Sequence, residues 1–161
     1  MATFSFSESN LVGQNITDGI TNLNFGSNDS PNLNTSTYPI TRGQNSFSKY
    51  IRAKFTGVFT EISNMKFWHD TGAYAVGESI KASANATYAT PTQTGTGDSA
   101  IPIVVGSALA LNSFEGNATI VNGASGVSGY SGYMRLQLQS TGSTPSGAVA
   151  QKSIKIQYDE V

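Results

Sequence analysis

The chain holds one histidine, His69, followed directly by Asp70 in a serine-rich sequence. Those are the residue types of a Ser-His-Asp set, which is defined by geometry and not by order along the chain. The spacing argues against it, because adjacent side chains on a strand point to opposite faces and no Gly-x-Ser-x-Gly elbow occurs. Glycoside hydrolysis needs two acids held about 5 to 9.5 Å apart. Glu61, Asp70 and Glu78 are near one another in sequence, yet the ten acidic residues are scattered singly. Gly95-Thr96-Gly97 lacks the third glycine and the following helix of a phosphate loop. The absence of cysteine removes thiol nucleophiles, disulfides and zinc ribbons, and a single histidine removes multi-histidine metal sites. No Asp-x-Asp-x-Asp-Gly calcium loop occurs; Asp18, Asp29 and Asp98 are the loop acids left for a cation. The expectation is a protein with no catalytic, cofactor or metal residues, and not an enzyme.

Binding chemistry has more to work with. Trp68, Tyr74, Tyr130 and Tyr133 are candidate exposed aromatic contacts, since aromatic faces supply large contact area at low entropy cost. Arg42, Lys49, Arg52 and Lys54 form the only cluster of one sign, with Arg52 and Lys54 on one strand face. The first 45 or so residues carry Glu8, Asp18 and Asp29 and no base before Arg42, so this segment and the basic stripe are expected to meet, within a subunit or between neighbours. Nine basic against ten acidic residues leave a formal charge of −1. That is no footprint for nucleic acid. The apolar stretch over residues 100–111 is too short for a bilayer and is interrupted by Pro102, Gly106 and Ser107, so no membrane association is expected. The opening residues lack the basic region and apolar run of an export signal, which leads to an expectation of synthesis in a host cytoplasm.

The elements that must position these residues are strands. Phe47, Lys49, Ile51, Ala53 and Phe55 alternate with Ser48, Tyr50, Arg52, Lys54 and Thr56. A second strand is expected around residues 58–62, a turn at Ser63-Asn64, and a third strand over residues 65–69. Ile80, Ala82, Ala84, Ala86 and Tyr88 form another alternating face, and residues 91–99 read as a polar loop. Residues 101–111 are ambiguous between strand and a helical turn. A short strand is expected over residues 117–121, then a turn at Asn122-Gly123. A Ser-Gly-x repeat over residues 125–133 leads into Met134, Leu136 and Leu138, and Ile154, Ile156 and Tyr158 mark the last strand. No helical period appears. The fold class is therefore all-β, an antiparallel β-sandwich of immunoglobulin-like or jelly-roll type over residues 46–161. Residues 1–45, crowded with Asn, Thr, Ser and Gly, read as an extended polar N-terminal arm with one or two short strands, docked on a larger surface. Its apolar residues Phe4, Phe6, Leu11, Ile16 and Phe25, with Arg52 and Lys54, are the candidate partner interface.

Taken in order, Lys49-Tyr50-Ile51-Arg52-Ala53-Lys54-Phe55-Thr56-Gly57, Ile62-Ser63-Asn64-Met65-Lys66-Phe67-Trp68, Gly77-Glu78-Ser79-Ile80-Lys81-Ala82, Tyr88-Ala89-Thr90-Pro91 and Gly129-Tyr130-Ser131-Gly132-Tyr133 resemble the structural proteins of tailed-phage virions, most of all small capsid decoration proteins. The resemblance spans residues 49–160 and includes no catalytic signature. It implies attachment to the major capsid protein of a shell, commonly as a homo-oligomer, and a place on the capsid surface of the virion. The alternative is a tail or head-fibre adhesin that binds host carbohydrate through Trp68 or the tyrosines. Low charge fits the first reading, because sheet edges unprotected by charge are better covered by neighbours.

Overall fold

The computed structural model describes residues 1–111, 120–121, 129–147 and 150–161, with only the backbone of residues 120–121. The strands are β1 (Ala2–Asn10), β2 (Asn15–Ile20), β3 (Lys49–Gly57), β4 (Glu61–Thr71), β5 (Glu78–Asn85), β6 (Ser99–Ala100), β7 (Leu109–Ala110), β8 (Ile120–Val121), β9 (Gly129–Ser140) and β10 (Ser153–Glu160). One sheet has six strands in the order β2-β1-β3-β9-β5-β6. In the second, β4 pairs with β10 along one edge and with the short β7 and β8 along the other. Every pairing is antiparallel. The architecture is an all-β sandwich.

The alternation in the sequence accounts for the core between the sheets. Ile51, Ala53 and Phe55 of β3, Met134, Leu136 and Leu138 of β9, and Ile80 and Ala82 of β5 face Ile62, Met65 and Phe67 of β4. Ile154, Ile156 and Tyr158 of β10 pack at its side, alternating with exposed Ser153, Lys155 and Gln157. Phe55 is the centre of a ring cluster, 5.6 Å from Phe4, 6.3 Å from Phe59 and 4.8 Å from Tyr158 between centroids.

The N-terminal segment differs from the expected arm. β1 pairs with β3 from Ala2↔Gly57 to Ser9↔Tyr50, and β2 pairs with β1, so the first twenty residues are the outer hairpin of the six-stranded sheet. The larger surface on which this segment docks is the chain's own β3. Phe4, Phe6, Leu23, Phe25 and Ile40 pack against the core. Loop 21–45 closes tightly: a side chain at Gly26 would start 2.1 Å from Leu33 Cδ2 and 2.6 Å from the Tyr38 carbonyl oxygen, so only glycine fits.

Two further expectations change, and the open reading of residues 101–111 is settled. The turn at Ser63-Asn64 is absent, and β4 runs through as a single strand with Asn64 at φ 51° and a register shift opposite residues 157–159. One inserted residue absorbs the kink as a bulge, and Asn64 Nδ2 donates to Asp159 Oδ2 at 2.6 Å. Residues 101–111 resolve into a 3₁₀ turn, Val105–Ser107, followed by β7. β5 ends at Asn85, leaving Ala86 and Tyr88 beyond the strand. The expected strand over residues 117–121 is seen only as the β8 backbone. The turn at Asn122-Gly123 and residues 125–128 of the Ser-Gly-x repeat lie outside the described residues.

Candidate functional site

Tyr130 and Tyr133 are three residues apart on β9, and strict alternation would place them on opposite faces. A bulge decides otherwise. The register shifts between Arg52↔Tyr133 and Lys54↔Tyr130, so Ser131 and Gly132 together oppose Ala53. Ser131 Oγ accepts the Ala53 amide at 2.9 Å, replacing the lost ladder bond. Both tyrosines thereby flank Arg52, whose guanidinium carbon lies 4.6 Å and 4.5 Å from the two ring centroids. Arg52 Nε also donates to the Ser131 carbonyl at 3.0 Å.

Around this stack the outer face of the sheet is largely occupied. Tyr50 meets Tyr88 and Tyr133 at 5.0 Å and 5.8 Å between centroids. Gln14 Nε2 donates to Tyr133 Oη, and Tyr88 Oη donates to the Leu11 carbonyl. Burial pushes the Tyr88 phenol well above its usual value, and the Asp29 charge adds to this, so Tyr88 stays a donor. Lys54 pairs with Asp18 on β2 at 2.5 Å. The basic stripe and the acidic N-terminal segment thus meet within one subunit. Burial works to raise the Asp18 carboxyl, and hydrogen bonds from Lys54 and Ser7 outweigh it, holding the group below its usual value.

The placement of the candidate residues follows. Tyr133 and Arg52 are buried, so neither is the exposed contact expected of it; the Gln14 loop and the Arg–Tyr stack enclose them. Tyr130 is half-buried on Arg52, and Tyr74 is half-buried against His69 at 4.9 Å between centroids. Trp68 is half-buried on the outer face of β4. Phe4 and Phe6 pack against the core because β1 is an integral strand, and Phe25 packs there from loop 21–45. Leu11 and Ile16 are exposed at the β1–β2 tip.

His69 and Asp70 are on opposite faces of β4, with His69 buried and Asp70 paired to Lys155 at 3.0 Å. His69 sits in a second cluster, where Glu78 Oε1 lies 2.7 Å from Lys152 Nζ and that ammonium is 5.1 Å from the Tyr74 ring centroid. His69 Nε2 has no hydrogen-bond partner among the described residues. Asp18, Asp29 and Asp98 lie in three separate places, bound to Lys54, Asn10 and Arg135 respectively. Among the described residues, no group of three or more His, Cys, Asp or Glu could hold a metal ion.

Sequence reasoning missed a third cluster at the end of the inner face. Lys49 Nζ donates to Glu8 Oε1 at 2.7 Å, and both side chains are almost wholly enclosed. Asn10 and Asp29 complete it, also buried. The signal was present, since Glu8 continues the Phe4/Phe6 face and Lys49 the Ile51/Ala53/Phe55 face.

No protein-family model, curated protein or solved structure matches this chain.

Proposed function

We propose that the chain is a non-enzymatic structural protein of a virus particle, an auxiliary protein that binds the major capsid protein shell from outside and stabilises it as a homo-oligomer. The observation that carries this reading is the tip of the β1–β2 hairpin. Val12 is 85% exposed there, with Leu11 and Ile16 beside it at 48% and 45%. An apolar group of this kind on a polar surface suits a protein contact. The tip is also held in place. Asp29 Oδ2 accepts the Leu11 amide at 2.6 Å, the Gln14 amide donates to the Leu11 carbonyl, and Tyr88 and Tyr133 anchor the turn from the sheet. A surface that is already ordered loses little entropy on docking. The outer edges of β2 and β10 carry no paired strand among the described residues, which leaves backbone groups for pairing with neighbours. The choice of a capsid shell as partner rests on the resemblance of residues 49–160 to decoration proteins.

Sedimentation of the purified protein with shells of the virus that encodes it tests the reading. Wild-type protein should pellet at a copy number comparable to the shell protein. V12D should stay in the supernatant while its melting temperature changes by no more than about 2 °C, as for an exposed site. Wild-type protein left in the supernatant, or V12D pelleting at the wild-type copy number, overturns the reading.

A further inference from the structure

The inner-face cluster at the ends of β1 and β3 places an amine, a carboxamide and two carboxylates in one enclosed site. Asn10, which follows the last β1–β3 pair Ser9↔Tyr50 as Lys49 precedes it, donates from Nδ2 to Glu8 Oε1 at 2.9 Å and to Asp29 Oδ1 at 2.7 Å. Lys49 Nζ reaches the same Glu8 Oε1 at 2.7 Å and the Ser30 carbonyl at 2.9 Å. Glu8 Oε1 therefore touches both nitrogens. Asn10 Oδ1 is buried without a hydrogen-bond partner among the described residues, an arrangement that costs stability and calls for a reason. Glu8, Asn10 and Lys49 are each no more than 1% exposed, so bulk solvent does not reach them.

We propose that this cluster is a self-processing site that joins Lys49 to Asn10 by an intramolecular isopeptide bond. A desolvated lysine beside a proton acceptor is an activated nucleophile, and one carboxylate in contact with both the attacking and the leaving nitrogen can serve as base and then as acid. Glu8 takes a proton from the Lys49 ammonium. The neutral amine attacks Asn10 Cγ, the Nζ–Cγ bond forms, and the Cγ–Nδ2 bond breaks as Glu8 returns the proton to the departing nitrogen. The products are a secondary amide and ammonia, which leaves with the remaining amine proton as ammonium. No redox partner is needed. Asp29 is a positioning residue: it holds Nδ2 from the side opposite Glu8, and its other oxygen is fixed by the Leu11 amide. The reaction occurs once per chain and is independent of the capsid reading. It would tie the outer hairpin covalently to the centre of the six-stranded sheet.

Intact mass spectrometry of the purified full chain, followed by proteolysis and fragmentation, decides this. The expected result is a mass about 17 Da below the sequence mass, the loss of one ammonia on amide formation by a lysine nucleophile. The Asn10 and Lys49 peptides should remain joined after proteolysis. N10A and K49M should keep the full sequence mass. E8Q, confirmed folded by circular dichroism, should also keep it. Wild-type protein at full mass after prolonged incubation overturns the proposal, with no variant needed. So does a deficit confined to a single peptide, which marks succinimide formation. A deficit of about 18 Da, the loss of water when a carboxyl group meets the lysine nucleophile, overturns the role of Asn10. Loss of ammonia by E8Q at the wild-type rate overturns the role of Glu8.

Discussion

Arg52 and Lys54 are neighbours on one strand face with unequal roles. Arg52 is buried between two tyrosine rings and hydrogen-bonded to the Ser131 carbonyl, whereas Lys54 reaches a half-exposed Asp18. Charge reversal should separate them. R52E places a carboxylate in the aromatic stack and should lower stability by about 3 kcal/mol or more. K54E removes a solvent-screened pair and should cost about 1 kcal/mol or less. Denaturant melts of the two variants check this, and equal losses would contradict the assignment. Asp98 offers a pH test. Burial works to raise its carboxyl, but the two-pronged bond from Arg135, at 2.9 Å and 2.5 Å, holds it below the usual value. The pair therefore stabilises the fold above the titration range of an unfolded aspartate, about pH 4, and the contribution is lost as pH falls through the lower folded value. Protection of the Thr96 amide, which bonds to Gln137 Oε1, measured against its intrinsic exchange rate, should fall as pH drops below about 4. D98N should show fast exchange there at all pH values.

At the level of elements, the β1–β2 hairpin has the largest consequence. Removing residues 1–20 strips Phe4 and Phe6 from the core and leaves the Lys49 ammonium without Glu8. Removing the carboxylate partner of a buried ion pair costs several kcal/mol by itself. The truncated chain should lose its cooperative melt, and one that still melts within about 5 °C of the full chain would show that β1 is dispensable. β3, β10 and the part of β9 from Met134 onward are legible in the sequence because their apolar residues alternate without a break. β1 is harder to read. Its pattern, Phe4, Phe6 and Glu8 separated by serines, also has period two, but its composition resembles a loop. Ser7 and Ser9 are fully buried on the other face, where Ser7 Oγ donates to Asp18 Oδ1 at 2.6 Å. Small hydroxyl residues under a covering hairpin cannot be told from loop serines until the cover is known. The bulge at Ser131-Gly132 was equally hidden, since the three-residue repeat shows a conflict with strand alternation but not its resolution.

For the whole molecule, stability rests on the dry layer between the sheets. Phe55 is fully enclosed and touches rings from β1, β10 and the β3–β4 connection. F55A should cost about 3–5 kcal/mol, from lost burial and the cavity left behind. A calorimetric melt would measure it, and a loss under about 1 kcal/mol, typical of surface sites, would contradict this role for the ring. The Glu78–Lys152 pair joins the start of β5 to the approach to β10, and so bridges the two sheets at one end.

By itself the sequence determined the all-β sandwich, because period-two burial and glycine-rich turns are local properties readable residue by residue. It also supplied the expectation that the acidic N-terminal segment meets the basic stripe, since Glu8, Asp18 and Asp29 precede any base; that they meet within one subunit was decided by the tertiary structure. Only the tertiary structure decided that the first twenty residues are an edge hairpin of the sheet, that Arg52 and Tyr133 are enclosed, and that Glu8, Asn10, Asp29 and Lys49 converge. Those outcomes depend on which strands become neighbours. Strand order joins residues far apart in the chain, and no local pattern encodes it.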